Sequence, residues 1–213
     1  IPAKYTEGFH PHQIMSFAYP LGVAMETDGD YMDLELTEDV SPQALSDALN
    51  AVMQEGIRIC GVARLPEKAP NAMASVAAAD YEIHVGGAHP ETLREILMTA
   101  AVSIINEEVL LLGKPQEEAT SSADHRKKGG KKEKKAKDIR PGILSLSVDE
   151  IDPVLRMKLL SGSALNVRPA DVFSLLAERV PEEKLCAERI IRKEIYGEQD
   201  GNYIPLLAMG AEA

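Results

Sequence analysis

Aromatic residues are scarce in this chain: there is no Trp, and three Phe and six Tyr serve 213 residues. Its core must therefore be aliphatic, built from Leu, Ile, Val, Ala and eight Met. Cysteine is equally sparse. Cys60 and Cys186 stand alone, without CxxC spacing, which excludes a disulfide framework and a paired-thiol motif and fits a reducing cytoplasm. No run approaches the ~20 apolar residues that span a bilayer. The start of the chain also lacks the charged and apolar regions of a signal peptide. These absences predict a cytoplasmic protein with no membrane partner and no cofactor motif.

Charge is present in quantity but unevenly placed. The formal net charge is −11. Between Arg126 and Arg140, nine cations (Arg126, Lys127, Lys128, Lys131, Lys132, Lys134, Lys135, Lys137 and Arg140) face only Glu133 and Asp138. That stretch nets +7, leaving −18 on the remainder. An acidic body with one cationic arm is a statement about partners. The segment at about 115–138 is rich in Ser, Gly, Lys and Glu, too polar to offset the entropy of ordering, and is expected to be a disordered loop. It reads either as a solvated insertion or as a nonspecific contact for phosphates.

The hydrophobic 45% of the chain alternates between two periods. Ile14 to Met25 and Tyr31 to Thr37 read as a hairpin around the Asp28-Gly29-Asp30 turn, with Met32, Leu34 and Leu36 on one side. Ser41-Pro42 is an N-cap followed by proline at the first helical position, and Leu45, Ala48, Leu49, Val52 and Met53 form the stripe behind it. Ile57 to Leu65 is the next expected strand, and Pro66 to Ala72 the best linker. Beyond it come a strand ending at Val85, a helix carrying Leu93, Ile96, Leu97, Ala100 and Ile104, and a short strand at Val109 to Leu112. Strands at Ile143 to Val148 and Leu155 to Leu159 follow, then a helix from Pro169 and a strand from Ala187 to Tyr196, with a turn and tail after Gly197. This order predicts an α+β fold: tandem ferredoxin-like (split βαβ) sandwiches with mostly antiparallel sheets. Residues 1–66 would be a partial unit lacking its first strand and helix, and 67–213 a second unit carrying the basic loop. Ile1-Pro2-Ala3 enters a turn-rich segment without an initiator Met, so an element is expected to precede it.

The run Tyr5-Thr6-Glu7-Gly8-Phe9-His10-Pro11-His12, with Ser16-Phe17-Ala18, Pro20-Leu21-Gly22-Val23 and Asp30-Tyr31-Met32-Asp33-Leu34, resembles the bacterial radical-SAM-linked (radical-SAM-associated) proteins, a domain of unknown function. Lys68-Ala69-Pro70, Asp138-Ile139-Arg140-Pro141 and Asn166-Val167-Arg168-Pro169 extend the resemblance over nearly the whole chain. It implies a radical SAM protein as partner and, by gene association only, a link to RNA or ribosome maturation. It also implies a strand and helix ahead of the Gly-Phe-His-Pro-His segment. The chain is not itself the radical SAM enzyme, because it has no CxxxCxxC motif and two cysteines cannot supply three thiolates to a four-iron cluster.

The candidate site residues follow. In extended backbone His10 and His12 project to one side, so they are candidates for catalysis or for a shared ligand, with His84 and His89 as further groups; no spacing identifies a metal site. The resemblance admits Asn at the position of His10, which argues against an obligatory ligand there. The structural reading has Gly8 allowing an unusual turn, Phe9 anchored in the core and the imidazoles bonded to backbone. The recognition reading has Gly8, Phe9, His10 and His12 contacting RNA or a partner, together with Lys127, Lys128, Lys131, Lys132, Lys134, Lys135, Arg140 and Arg168. Arg168 opens a helix, where a guanidinium and free N–H groups can meet a phosphate or carboxylate. Three functions remain: a noncatalytic RNA-binding or substrate-presenting adaptor, an RNA-processing or RNA-modifying enzyme using His10 or His12, and a protein-only partner of a radical SAM enzyme.

Overall fold

The computed structural model describes residues 1–66, 68–113, 136–162 and 165–210. Most of the predicted basic loop, with Lys127, Lys128, Lys131, Lys132, Lys134 and Lys135, lies outside them. In chain order the elements are β1 (Met15–Phe17), β2 (Glu26–Thr27), β3 (Met32–Leu34), α1 (Pro42–Asn50), α2 (Ala72–Ser75), β4 (Ala78–Gly86) and α3 (Leu93–Asn106). There follow β5 (Leu111–Leu112), β6 (Lys137–Asp138), β7 (Ile143–Val148), β8 (Val154–Leu160), α4 (Pro169–Ala177), β9 (Cys186–Gln199) and β10 (Asn202–Pro205). The fold is α+β, with antiparallel pairings such as β1 with β3 and β7 with β8, and a parallel pairing of β2 with β9.

The chain divides into two compact units. The first is Ile1–Tyr81 with Ser161–Ser163 and Ile190–Ala213; the second is Glu82–Leu160 with Ala164–Arg189. The end of the chain thus returns to the first unit. The reason is β9, whose later residues pair with β2 (Glu26↔Ile191, Thr27↔Arg192) and with β10.

In the first unit β1 and β3 form the predicted antiparallel pair, with Met15 opposite Leu34 and Phe17 opposite Met32. The N-terminal segment extends it through isolated bridges, Ala3 to Leu36 and Tyr5 to Gln13. Asp28-Gly29-Asp30 turns directly over β9. A Cβ on Gly29 would stand 2.4 Å from the Lys193 carbonyl oxygen, so this position has no room for a side chain. Helix α1 starts as read, with the Ser41 hydroxyl accepting from the Ala44 N–H at 3.2 Å and Pro42 at the first turn. Ala18, Ile195 and Leu206 form a small core, with Tyr19, Tyr31, Ala72, Val76 and Met209 packed on it.

Two expectations fail in this unit. Ile57 to Leu65 forms no strand; at Ile59 the backbone groups are met by the Asn50 side chain instead. Its amide donates to the Ile59 carbonyl at 3.0 Å and its oxygen accepts the Ile59 N–H at 2.8 Å. The stretch after Gly197 is also more than a tail. Asp200 (φ 51°) and Gly201 (φ 78°) form a tight turn that lets β9 run on to Gln199 and pair with β10. An Asp-Gly pair is a strong hairpin signal, since both central positions need positive φ.

The larger sheet runs in the order β10, β9, β4, β8, β7, with β7 and β8 antiparallel. Tyr81, Ile83 and Val85, the predicted inward face of β4, are buried. Of the α3 stripe, Leu93, Leu97, Ala100 and Ile104 are buried at the i, i+4, i+7, i+11 spacing of one helical face. Val172 and Leu176 of α4 and Leu155, Met157 and Leu159 of β8 complete an aliphatic core. At the base of the basic segment, β5 and β6 pair. There the Asp138 carboxylate accepts from the backbone N–H groups of Leu110 and Arg140 at 2.9 and 3.0 Å.

Candidate functional site

The Gly8-Phe9-His10-Pro11-His12 loop is closed by Thr6. Its N–H donates to the His12 carbonyl at 2.8 Å, and its hydroxyl accepts the His12 N–H at 3.0 Å. Gly8 has φ +124°, a region closed to most side chains, so glycine is required by the backbone here. Phe9 is 102% exposed, which overturns its reading as a core anchor: the tight closure leaves the loop too short to bring the ring back to any core. His10 and His12 are both exposed. Among the described residues no group of three or more His, Cys, Asp or Glu is placed to hold a metal. His89 is engaged in the second unit, where its Nδ1 lies 3.0 and 3.2 Å from the two carboxylate oxygens of buried Glu183.

The two predicted arginines are both engaged by groups of the protein itself. Arg140 donates to the carbonyls of Ile105, Glu107 and Ile143 at 2.8, 3.1 and 3.2 Å, closing the C-terminal end of α3. Cations at that end also meet the negative pole of the helix. Arg168 makes a two-pronged contact with Asp171, at 2.9 and 2.6 Å, as the planar guanidinium favours. Lys137 reaches the Asn166 carbonyl at 3.4 Å.

A polar centre along β9 escaped the sequence reading. Arg192 is 1% exposed, yet its guanidinium donates to the carbonyls of Tyr19 and Pro20, both at 3.1 Å, and to the Asp30 carboxylate at 2.7 Å. Its carbon lies 5.3 Å from the centre of the Tyr19 ring, at cation–π distance. Its Nε is buried without a partner, as is the hydroxyl of Thr27, the residue paired with Arg192 across β2 and β9. Lys193 pairs with Asp28 beside it. Two phenols also donate to carboxylates at 2.6 Å, Tyr31 to Glu194 and Tyr196 to Asp80.

Burial, reinforced by those bonds, raises both of these phenols above the ordinary tyrosine value. Burial pushes the Tyr81 phenol up to about 12, with a smaller push from Tyr19 and an opposing pull from Arg192. Such phenols stay protonated and donate near neutral pH, so this centre binds the 18–31 segment to β9 and contains no activated nucleophile. A buried arginine could not be read from a strand whose pattern, Ile190-Ile191-Arg192-Lys193-Glu194-Ile195, places charges among apolar residues without marking which is covered.

The surface of the first unit is unusual in a different way. Val23 is 101% exposed, Phe17 58%, Tyr5 52% and Met15 42%, and Ile1, Leu21, Val52, Ile57 and Leu65 are exposed as well. Strand pairing shows which of these belong together. Partners across an antiparallel ladder, and residues two apart along it, share a face. Tyr5, Gln13, Met15, Phe17, Met32, Leu34 and Leu36 therefore line one side of the small sheet, with Ala3 at its end.

The first unit thus presents apolar side chains to solvent on one side of its small sheet, a loop with a bare phenylalanine, and a buried guanidinium that holds Tyr19, Pro20 and Asp30. The chain belongs to a bacterial family described as an uncharacterized protein conserved in bacteria (DUF2344), whose model matches residues 1–169. No curated protein and no solved structure matches it. Among the described residues no helix is long and apolar enough to cross a membrane.

Proposed function

We propose that this chain is a noncatalytic accessory protein of a radical-SAM-linked system, and that it works by docking a protein partner on its first unit. The observation that carries this reading is the apolar sheet face with Tyr5, Met15 and Phe17 open to solvent. The radical SAM protein named by the sequence resemblance is the partner it proposes. A second reading, presentation of RNA, draws on the +7 segment between Arg126 and Arg140. Arg140 and Arg168 lend it little, since both guanidiniums are engaged within the protein. His10 and His12 serve here as recognition groups beside Phe9 rather than as a general base.

The architecture supports a tandem ferredoxin-like origin unequally. In the larger sheet the order β9, β4, β8, β7 is that of strands 4, 1, 3, 2 in a split βαβ unit, with α3 and α4 as its two helices. The first unit contributes a β1–β3 hairpin followed by α1.

The test is binding of a purified radical SAM protein, the partner that the resemblance implies, measured by calorimetry. A stoichiometric complex supports the reading, and no heat or co-elution at tens of micromolar concentration contradicts it. RNA presentation predicts a gel shift that weakens steeply with salt and disappears when residues 126–137 are deleted.

A further inference from the structure

The exposed apolar face lies in a strongly acidic stretch of chain. From Ile1 to Val40 there are eight Asp and Glu (Glu7, Glu26, Asp28, Asp30, Asp33, Glu35, Glu38 and Asp39) against Lys4 alone. Some of these carboxylates are committed. Asp28 pairs with Lys193, Asp30 with Arg192, Glu35 with Lys4 and Asp39 with Arg64, while Asp33 accepts the Ala72 N–H. Glu7 and Glu38 are exposed and follow Tyr5 and Leu36 by two residues each. They stand beyond the end of the face where Tyr5 meets Gln13 and Ala3 meets Leu36. The surface is thus carbon-rich at its centre and negative at its rim.

Resting on the docking function proposed above, we infer that the occupant of this face is a cationic amphipathic helix of the partner protein. Its apolar stripe would lie across Tyr5, Met15 and Phe17, and its Lys or Arg residues would face Glu7 and Glu38. The face is about three residues deep along β1, the length that two turns of helix cover with an i, i+3, i+4, i+7 stripe. Charge at such a rim steers encounter and selects among partners, while the apolar centre supplies most of the affinity. A polyanion such as RNA would meet repulsion from the same carboxylates.

The test uses two labelled 18-residue helical peptides of one pattern, Leu with Lys and Leu with Glu, titrated with the full chain by fluorescence anisotropy. The Leu/Lys peptide is expected to bind at least tenfold more tightly, and to weaken between 50 and 300 mM salt. Met15→Ser with Phe17→Ser should cost a further tenfold while leaving the circular dichroism melt unchanged, since both side chains are already exposed. Glu7→Gln with Glu38→Gln should narrow the gap between the peptides without abolishing binding. Equal binding of both peptides, failure of both to bind, or a Leu/Lys affinity indifferent to the Met15/Phe17 pair would overturn the inference. So would displacement of that peptide by an oligouridylate. The docking function itself falls on a separate result, failure of the radical SAM protein to bind the unaltered chain. A complex that forms with the partner but ignores the Met15/Phe17 pair sinks only the present inference.

Discussion

Removing the Arg192 guanidinium should be among the most damaging single changes in the first unit. Arg192→Ala leaves the carbonyls of Tyr19 and Pro20 without their donor and strands Asp30, whose side chain is 27% exposed. Breaking a buried ion pair by deleting one partner costs about 3–5 kcal/mol. Each buried acceptor left unpaired costs about 1–3 kcal/mol, though such terms do not add. Water reaching Asp30 lowers the penalty for that carboxylate, so the expected loss is about 3–4 kcal/mol. Arg192→Lys keeps the charge but not the fork that reaches three acceptors at once, and should lose about half as much. Urea unfolding with an unchanged slope measures the loss, and hydrogen exchange at residues 18–31 locates it, because that segment supplies the Tyr19, Pro20 and Asp30 acceptors of the guanidinium. A loss below about 1 kcal/mol for Arg192→Ala, or exchange that rises equally everywhere, would refute the picture of a lock.

Other outcomes follow from neighbouring geometry. Gly29→Ala forces a methyl against the Lys193 carbonyl and should destabilise by about 1–3 kcal/mol in the same unfolding experiment. Asn50→Ala strips both backbone partners from Ile59 and should cost about 1–2 kcal/mol, with local rather than global exchange. Raised phenol pKa values mean that the folded state holds its protons longer than the unfolded one. The stability they contribute is whole below about pH 10, the unfolded tyrosine value, and is lost as pH rises through the folded values, near 12 for Tyr81. A melting temperature that falls between pH 10 and 12, and falls less steeply in Tyr81→Phe, is the expected record; a flat profile contradicts it.

Much of α3 and β4 was legible because their signals are local and periodic. The stripe of α3 and the alternation through Tyr81, Ile83 and Val85 each name a buried face directly. Ser41-Pro42 likewise announced α1 through the chemistry of its cap. The sequence reading went astray where a side chain did the work of a strand. Ile57 to Leu65 has the composition of a strand, but the backbone of Ile59 within it is met by the amide of Asn50, and no pattern encodes that substitution. Arg192 was hidden for a related reason: its burial depends on a loop more than 160 residues earlier folding over β9. Phe9 shows the opposite error. A large apolar residue is expected inside, yet the Thr6–His12 closure holds it in solvent, and exposure of that kind is a property of the fold. His10 and His12 stand exposed in one loop, while His89 has a carboxylate partner, Glu183, that lies far away in sequence.

The most direct test of the docking account is the affinity of the purified radical SAM protein for the intact chain, compared with the Met15→Ser and Phe17→Ser double variant. The account predicts a complex with the intact chain and at least a tenfold weaker one with the variant, at equal folded stability. Undiminished affinity in the variant, or no complex with either chain, would contradict it.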